Sequence, residues 1–177
     1  MFGELQHPEY VVPVDLGVKW DMGAPMPHLL QSEYKTFLLF FLSSNDPYWD
    51  GTYITVADPN TPEPIGVLEW HECVGALLGP PNDDGRKGHR LWDKGLSDIV
   101  YGAGEVHNSA WVAEFERVWR VDSPGDLDPD LRPRHFILGF HDTTFECLAL
   151  AYTATRAMGS MHEVTLKYAA KLWSESE

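Results

Sequence analysis

The stretch "RHFILGFHDTTFECLALAYTAT" (residues 134–155) decides the fold class. Two runs rich in aromatic and apolar residues, 134–140 and 145–155, flank the polar tetrad "HDTT". Strand-forming runs joined by a short polar segment read as a β-hairpin. Asp142 suits its turn, because an Asp side chain accepts backbone N–H bonds two residues on. Within the second run, alternation places Glu146 beside Thr144 and Leu148 and opposite Phe145 and Cys147. A carboxylate in an apolar strand is costly to bury alone. Glu146 therefore sits at the rim of the sheet or pairs with Arg134, His141 or His89.

Outward from the hairpin, the periodicity changes from two to 3.6 on both sides. Upstream, "SAWVAEFERVWR" (109–120) sets Trp111, Val112, Phe115, Val118 and Trp119 on one stripe. This predicts a helix capped by Asn108 or Ser109, with Glu116 and Arg120 spaced for a surface pair. Downstream, Ser160 and Glu163 form a capping box ahead of the stripe Met161, Val164, Tyr168 and Leu172, which predicts a second helix over 160–173. "KTFLLFFLSS" (35–44) reads as a central strand buried on both faces, and "TYITVAD" (52–58) as a strand returning antiparallel to it. "IGVLEWHECVGALL" (65–78) follows as one long strand bent at Gly75. Residues 1–27, with their prolines and glycines, read as an extended lead-in, and "PHLLQSEY" (27–34) as a short helical turn. Residues 79–108 read as a Gly-rich loop, of a length that is usually functional or mobile. Strands joined by short turns and interrupted by two helices point to an α+β fold: one domain, with a mainly antiparallel sheet of about five to six strands and helices over 109–120 and 160–173.

Composition narrows the function classes. Hydrophobic residues make up 44% and charged residues 23% of the 177, so the chain can bury a full core. Acidic residues outnumber basic ones 27 to 13, a formal charge of −14. Binding nucleic acid or an anionic membrane takes clustered Lys and Arg, and "GRKGHR" (85–90) is too short for such a footprint. The balance suits solubility or docking onto a basic partner. No basic segment precedes an apolar run at the start, and "FLLFFL" (37–42) is too short to span a bilayer. A cytoplasmic location is expected, with Cys73 and Cys147, the only two cysteines, reduced and acting as small hydrophobes; the less favoured alternative is a disulfide between them.

Catalytic and cofactor signatures are missing: there is no Gly-x-Ser-x-Gly elbow, phosphate loop, dinucleotide fingerprint or Cys-x-x-Cys pair. No cofactor is expected. His71, His107 and His141 each lie within two residues of an acid, and three imidazoles with a carboxylate suit zinc or iron. None of these histidines share a spacing that puts them on one face, so a metal site would need the fold to gather them. "GPPND" (79–83), "GHRLWDKGL" (88–96), "YGAGEVHNSAWV" (101–112) and "RHFILGFHDTTFECLA" (134–149) resemble segments of a family of small, uncharacterised bacterial proteins. The resemblance brings no activity or catalytic residue, and implies that the loop and the hairpin belong to one module. His141, Asp142 and Glu146 are then expected to meet the loop residues Asn82, His89, Glu105 and Asn108. Such a polar cluster can hold a ligand, contact a partner or fasten the loop. The expectation is an acidic module that binds a protein or a small molecule; the alternative is a metal-assisted hydrolase using His71, His107 or His141 with Asp142 or Glu146.

Overall fold

The computed structural model describes residues 7–43, 60–123, 125 and 127–173, and the strand expected over 52–58 lies outside them. Among the described residues the chain forms β1 (Tyr10–Val14), β2 (His28–Gln31), β3 (Thr36–Phe41), β4 (Glu63–His71), β5 (Gly75–Gly79), β6 (Ala103–His107), α1 (Ala110–Asp122), β7 (Arg134–Gly139), β8 (Thr144–Ala149), β9 (Ala151–Gly159) and α2 (Met161–Lys171). The class is α+β, with both expected helices present and every strand pair antiparallel. The strands divide between two sheets, ordered β1-β6-β7-β8-β5 and β2-β3-β4-β9.

Two strands expected to be single each turn a corner and serve both sheets. The segment 63–79 and the segment 144–159 pair along their whole length, β4 with β9 and β5 with β8. Between the pairs His71–Ala151 and Gly75–Leu148, three residues (72–74) oppose two (149–150). The extra residue makes a bulge, with Glu72 at φ +48°, and a bulge bends the strand that carries it. The expected bend at Gly75 thus falls at 72–74, and 145–155 breaks at Leu150, whose amide donates to the His71 carbonyl at 3.0 Å. Folding the ribbon here lets the two sheets face each other across one core.

That core takes one face of each sheet: Leu38, Phe40, Leu68 and Trp70 from the four-stranded sheet against Phe136, Leu138, Phe145 and Cys147 from the other. All of β3 is buried, as its unbroken apolar run requires, because α2 covers its second face. Met161, Val164 and Tyr168 of α2 pack on Phe37, Leu39, Ile65 and Val67, each contributing about 1.5–3 kcal/mol on burial. The Ser160–Glu163 capping box is present. Leu172 is half-buried, whereas Trp173 is 90% exposed and lies past the end of the stripe. In α1, Ser109 is the cap; Val112 is buried, but Val118 and Trp119 are exposed, because the helix leans on the sheet only by its first turns.

Three other expectations are corrected. Residues 28–31 extend as β2 on the edge of the four-stranded sheet, where pairing with β3 overrides the helical signal of "PHLLQSEY". The lead-in contains β1, an edge strand on β6. The long loop is not structureless: 85–99 winds through three short 3-10 turns, and 103–107 is β6. Leu91, Leu96 and Ile99 from those turns bury against Val11, Val106 and Ile137, so the loop acts as a lid on the outer face of the five-stranded sheet.

Candidate functional site

The outer face of the β7–β8 hairpin carries His135, Ile137 and Gly139 from one strand and Thr144, Glu146 and Leu148 from the other, with Ile137 opposite Glu146. Glu146 lies where alternation puts it, and the lid brings its partners. His89 Nε2 stands 3.2 Å from Glu146 Oε1, Arg90 Nη2 3.3 Å from Oε2, and His135 Nε2 2.9 Å from Oε2. His89 was among the partners expected from sequence; Arg134 instead pairs with Glu105 (Nε to Oε1, 3.1 Å) and His141 lies elsewhere. The geometry sets which ring nitrogen of each histidine faces the carboxylate. His89 Nδ1 accepts from the Leu91 amide at 3.3 Å, so its Nε2 carries the hydrogen and donates to the carboxylate. A carboxylate only accepts, so His135 also donates from Nε2, and its Nδ1 shares a hydrogen bond with Ser109 Oγ at 2.8 Å. Burial pushes the Glu146 carboxyl up, but the donors from His135 and His89, with the electrostatic pull of His135 and Arg90, outweigh it and hold it down to about 2.

A polar chain therefore runs from the hairpin to the helix: Glu146, His135, Ser109, and the Trp111 and Val112 amides that donate to Ser109 Oγ at 3.1 and 3.2 Å. His135 is fully buried, with Trp111 edge-on at 5.3 Å. Asn108, at φ +52°, makes the sharp turn between β6 and α1, and its side chain donates to the Pro8 carbonyl. A cleft of about 430 Å3 opens beside Ser109 and His135. Two larger clefts, of about 710 and 850 Å3, lie along residues 13–22 and beside Arg156, with Asp15, Lys19 and Arg156 as their only charged lining among the described residues.

The second half of the loop–hairpin contact centres on a residue that the sequence does not mark out. Arg86 is fully buried. Its guanidinium donates to the carbonyls of Val100, Phe140 and Thr143 and to Thr144 Oγ1, tying both ends of the lid to the hairpin turn. Gly139 makes room for it, since a Cβ there would lie 2.9 Å from Arg86 Nη1. Burial lowers the Arg86 pKa, while Asp83 and Tyr101 nearby favour the charge. "GRKGHR" reads as a short basic run, and only the fold shows that its first arginine points inward.

Above Arg86, on the surface, Tyr101 Oη donates to Asp83 Oδ2 at 2.5 Å, and His141 stacks beside Tyr101. His141 Nδ1 meets Asp142 Oδ1 at 2.9 Å, and Nε2 lies 3.7 Å from Asp83. The Asp142 carboxylate therefore takes the neighbouring imidazole rather than a backbone amide of the turn, which the Phe140 N–H to Thr143 carbonyl bond closes. Asp142, ahead of a slight opposing burial and of Asp83, raises the His141 pKa. The Tyr101 hydroxyl is the main cause holding Asp83 low.

The expected cluster thus splits. His89 joins Glu146, His141 joins Asp142, Asn82 caps the turn at Gly85 through its Oδ1, and Glu105 and Asn108 make separate contacts on β6 and its turn. The metal candidates are dispersed: His71 bonds Thr153 Oγ1 on the other sheet, His107 stacks on Tyr10, and His141 stands at the hairpin tip. Among the described residues no three His, Cys, Asp or Glu side chains form a set that could hold a metal: His71 ends β4 in one sheet, His107 ends β6 in the other, and His141 lies in the turn between β7 and β8. No helix among the described residues is long and apolar enough to cross a membrane. No family model matches the chain, and no curated protein or solved structure is significantly similar to it.

Proposed function

We propose that this protein is a binding module whose recognition face is the lid of residues 80–102 together with the 140–144 turn, and that its partner is a protein surface or small molecule carrying basic groups. The observation that carries this reading is the buried Arg86, which fastens the lid to the hairpin through four acceptors. A face that is already rigid loses little conformational entropy on binding. What it presents is acidic and aromatic: Asp83, Asp84, Tyr101, His141 and Asp142 lie together, in a chain with a net charge of −14. Opposite charge steers a basic partner and makes its capture salt-dependent. The test compares wild type with Asp83→Asn/Asp142→Asn in crosslinking from the source cells and in thermal-shift screening of cationic metabolites. The reading expects a partner or ligand that the double variant and high salt both lose, with the unliganded melting temperature little changed. A partner held equally by both proteins overturns the assignment of this face.

A second reading rests on the Ser109–His135–Glu146 chain, which has the hydrogen-bond order of a serine hydrolase relay beside a cleft. The surroundings argue against turnover. Ser109 Oγ already accepts two helix amides, and the next amide, Ala110 N–H, donates to Glu9 Oε1 at 2.9 Å. The first amides of α1, which would have to stabilise an oxyanion, are thus all engaged. The chain acts here as a tie between α1 and the hairpin. Covalent labelling of Ser109 by a fluorophosphonate, lost in Ser109→Ala, would reverse that ranking.

A further inference from the structure

We propose that Cys73 and Cys147 form a reversible dithiol–disulfide couple at the corner between the two sheets, with Cys73 as the site of oxidation by peroxide. This stands apart from the binding reading and uses no residue of the recognition face. The two cysteines are 74 positions apart (147 − 73) and come together through the corner. In β5, Ala76 pairs with Cys147 and packs against the central core. Regular alternation would turn Val74 inward beneath it. The extra residue at 72–74 reverses this: Val74 is 50% exposed, and Cys73 packs into the core cluster that contains Cys147. The Cys73 thiol is a hydrogen-bond neighbour of the Cys147 thiol, neither is in a disulfide, and Cys73 Sγ also donates to the Gly75 carbonyl at 3.4 Å.

The surroundings divide the roles. Cys73 is half-buried whereas Cys147 is fully buried, so of the two Cys73 is the one nearer to solvent and to a small oxidant. The Cys147 thiol, helped by the Thr36 hydroxyl and opposed by burial, brings the Cys73 thiol down to about 7. Thr36 Oγ1 is buried with no conventional hydrogen-bond partner, so it is available to a Cys73 thiolate. Burial pushes Cys147 up, which keeps it a protonated thiol. The thiolate is the nucleophile in oxidation. Cys73 attacks one oxygen of hydrogen peroxide; the O–O bond breaks, Cys73 becomes a sulfenic acid, and the departing hydroxide takes a proton to become water. Cys147 sulfur then attacks the Cys73 sulfur; the S–O bond breaks, and the hydroxide leaves as water with the Cys147 proton. Two electrons pass from the sulfurs to one peroxide, giving one disulfide and two waters.

The experiment uses the reduced full-length chain treated with stoichiometric hydrogen peroxide. It is read by intact mass, by thiol titration and by peptide mapping under non-reducing conditions. The expected result is a monomer lighter by about 2 Da, with both thiols lost, one linked peptide pair joining Cys73 to Cys147, and full reversal by a dithiol reductant. Cys147→Ser should instead trap a dimedone-reactive sulfenic acid at Cys73, and Cys73→Ser should resist oxidation. Should either variant fail to fold, the wild-type peptide map decides alone. Survival of both thiols, oxygen adducts without a linkage, or disulfides only between chains each overturn the proposal.

Discussion

Replacing Glu146 by Gln keeps the shape of the side chain and an acceptor for His135 but removes the charge on which the lid, the hairpin and α1 converge. The carboxyl is held from 4.5 down to about 2, which corresponds to about 3 kcal/mol of native-state stabilisation. With a side-chain exposure of 14%, little of this is lost to solvent screening. The native pKa lies below the unfolded one, so the stabilisation is fully present above 4.5 and is lost as pH falls towards 2. Urea unfolding followed by tryptophan fluorescence should therefore place Glu146→Gln about 2–3 kcal/mol below wild type near pH 7, with the gap closing near pH 2. The other carboxylates are common to both proteins and cancel in the difference. A gap of the same size at both pH values, or none near pH 7, would refute the assignment of Glu146 as an ionised hub.

Gly139→Ala should lower stability by about 1–3 kcal/mol, read as a fall in melting temperature, because its Cβ would lie 2.5 Å from the Val100 carbonyl oxygen and press on Arg86; an unchanged melting temperature would mean that Arg86 does not lock the lid. Tyr168→Ala should cost about 3 kcal/mol and Trp173→Ala less than about 0.5, since the first is buried under β3 and the second is 90% exposed; equal effects in denaturant titrations would displace α2 from that face. Ser160→Ala removes the cap whose Oγ accepts the Glu163 amide at 3.2 Å and should cost about 1 kcal/mol by the same titration.

Residues whose role follows from near neighbours are legible in the sequence alone. The capping box at Ser160 and Glu163, the buried stripe Met161–Val164–Tyr168, the two-sided burial of "TFLLFF" and the face that Glu146 shares with Thr144 and Leu148 all follow from side-chain direction along one element. The split into two sheets was not legible, because a ribbon that crosses between sheets keeps its apolar alternation on either side of the bulge. The strands at 10–14 and 103–107 were hidden for a related reason: their hydrogen-bond partners are distant in sequence, and pairing overrides weak local propensity.

At the candidate site, local sequence showed that Glu146 needs a partner; the burial cost of a carboxylate in an apolar strand demands one. Which groups answer, His135, His89 and Arg90 rather than Arg134 or His141, was decided by how a lid with no regular period packs on the sheet. The same holds for Arg86, a surface residue by composition and a buried one by fold, and for the two cysteines, unremarkable in sequence and adjacent in space. Charge, periodicity and capping are properties of a segment and can be read along it. Pairing between segments depends on where a bulge or a turn directs each chain, and here only the tertiary structure places Cys73 against Cys147 and Arg86 beneath the hairpin.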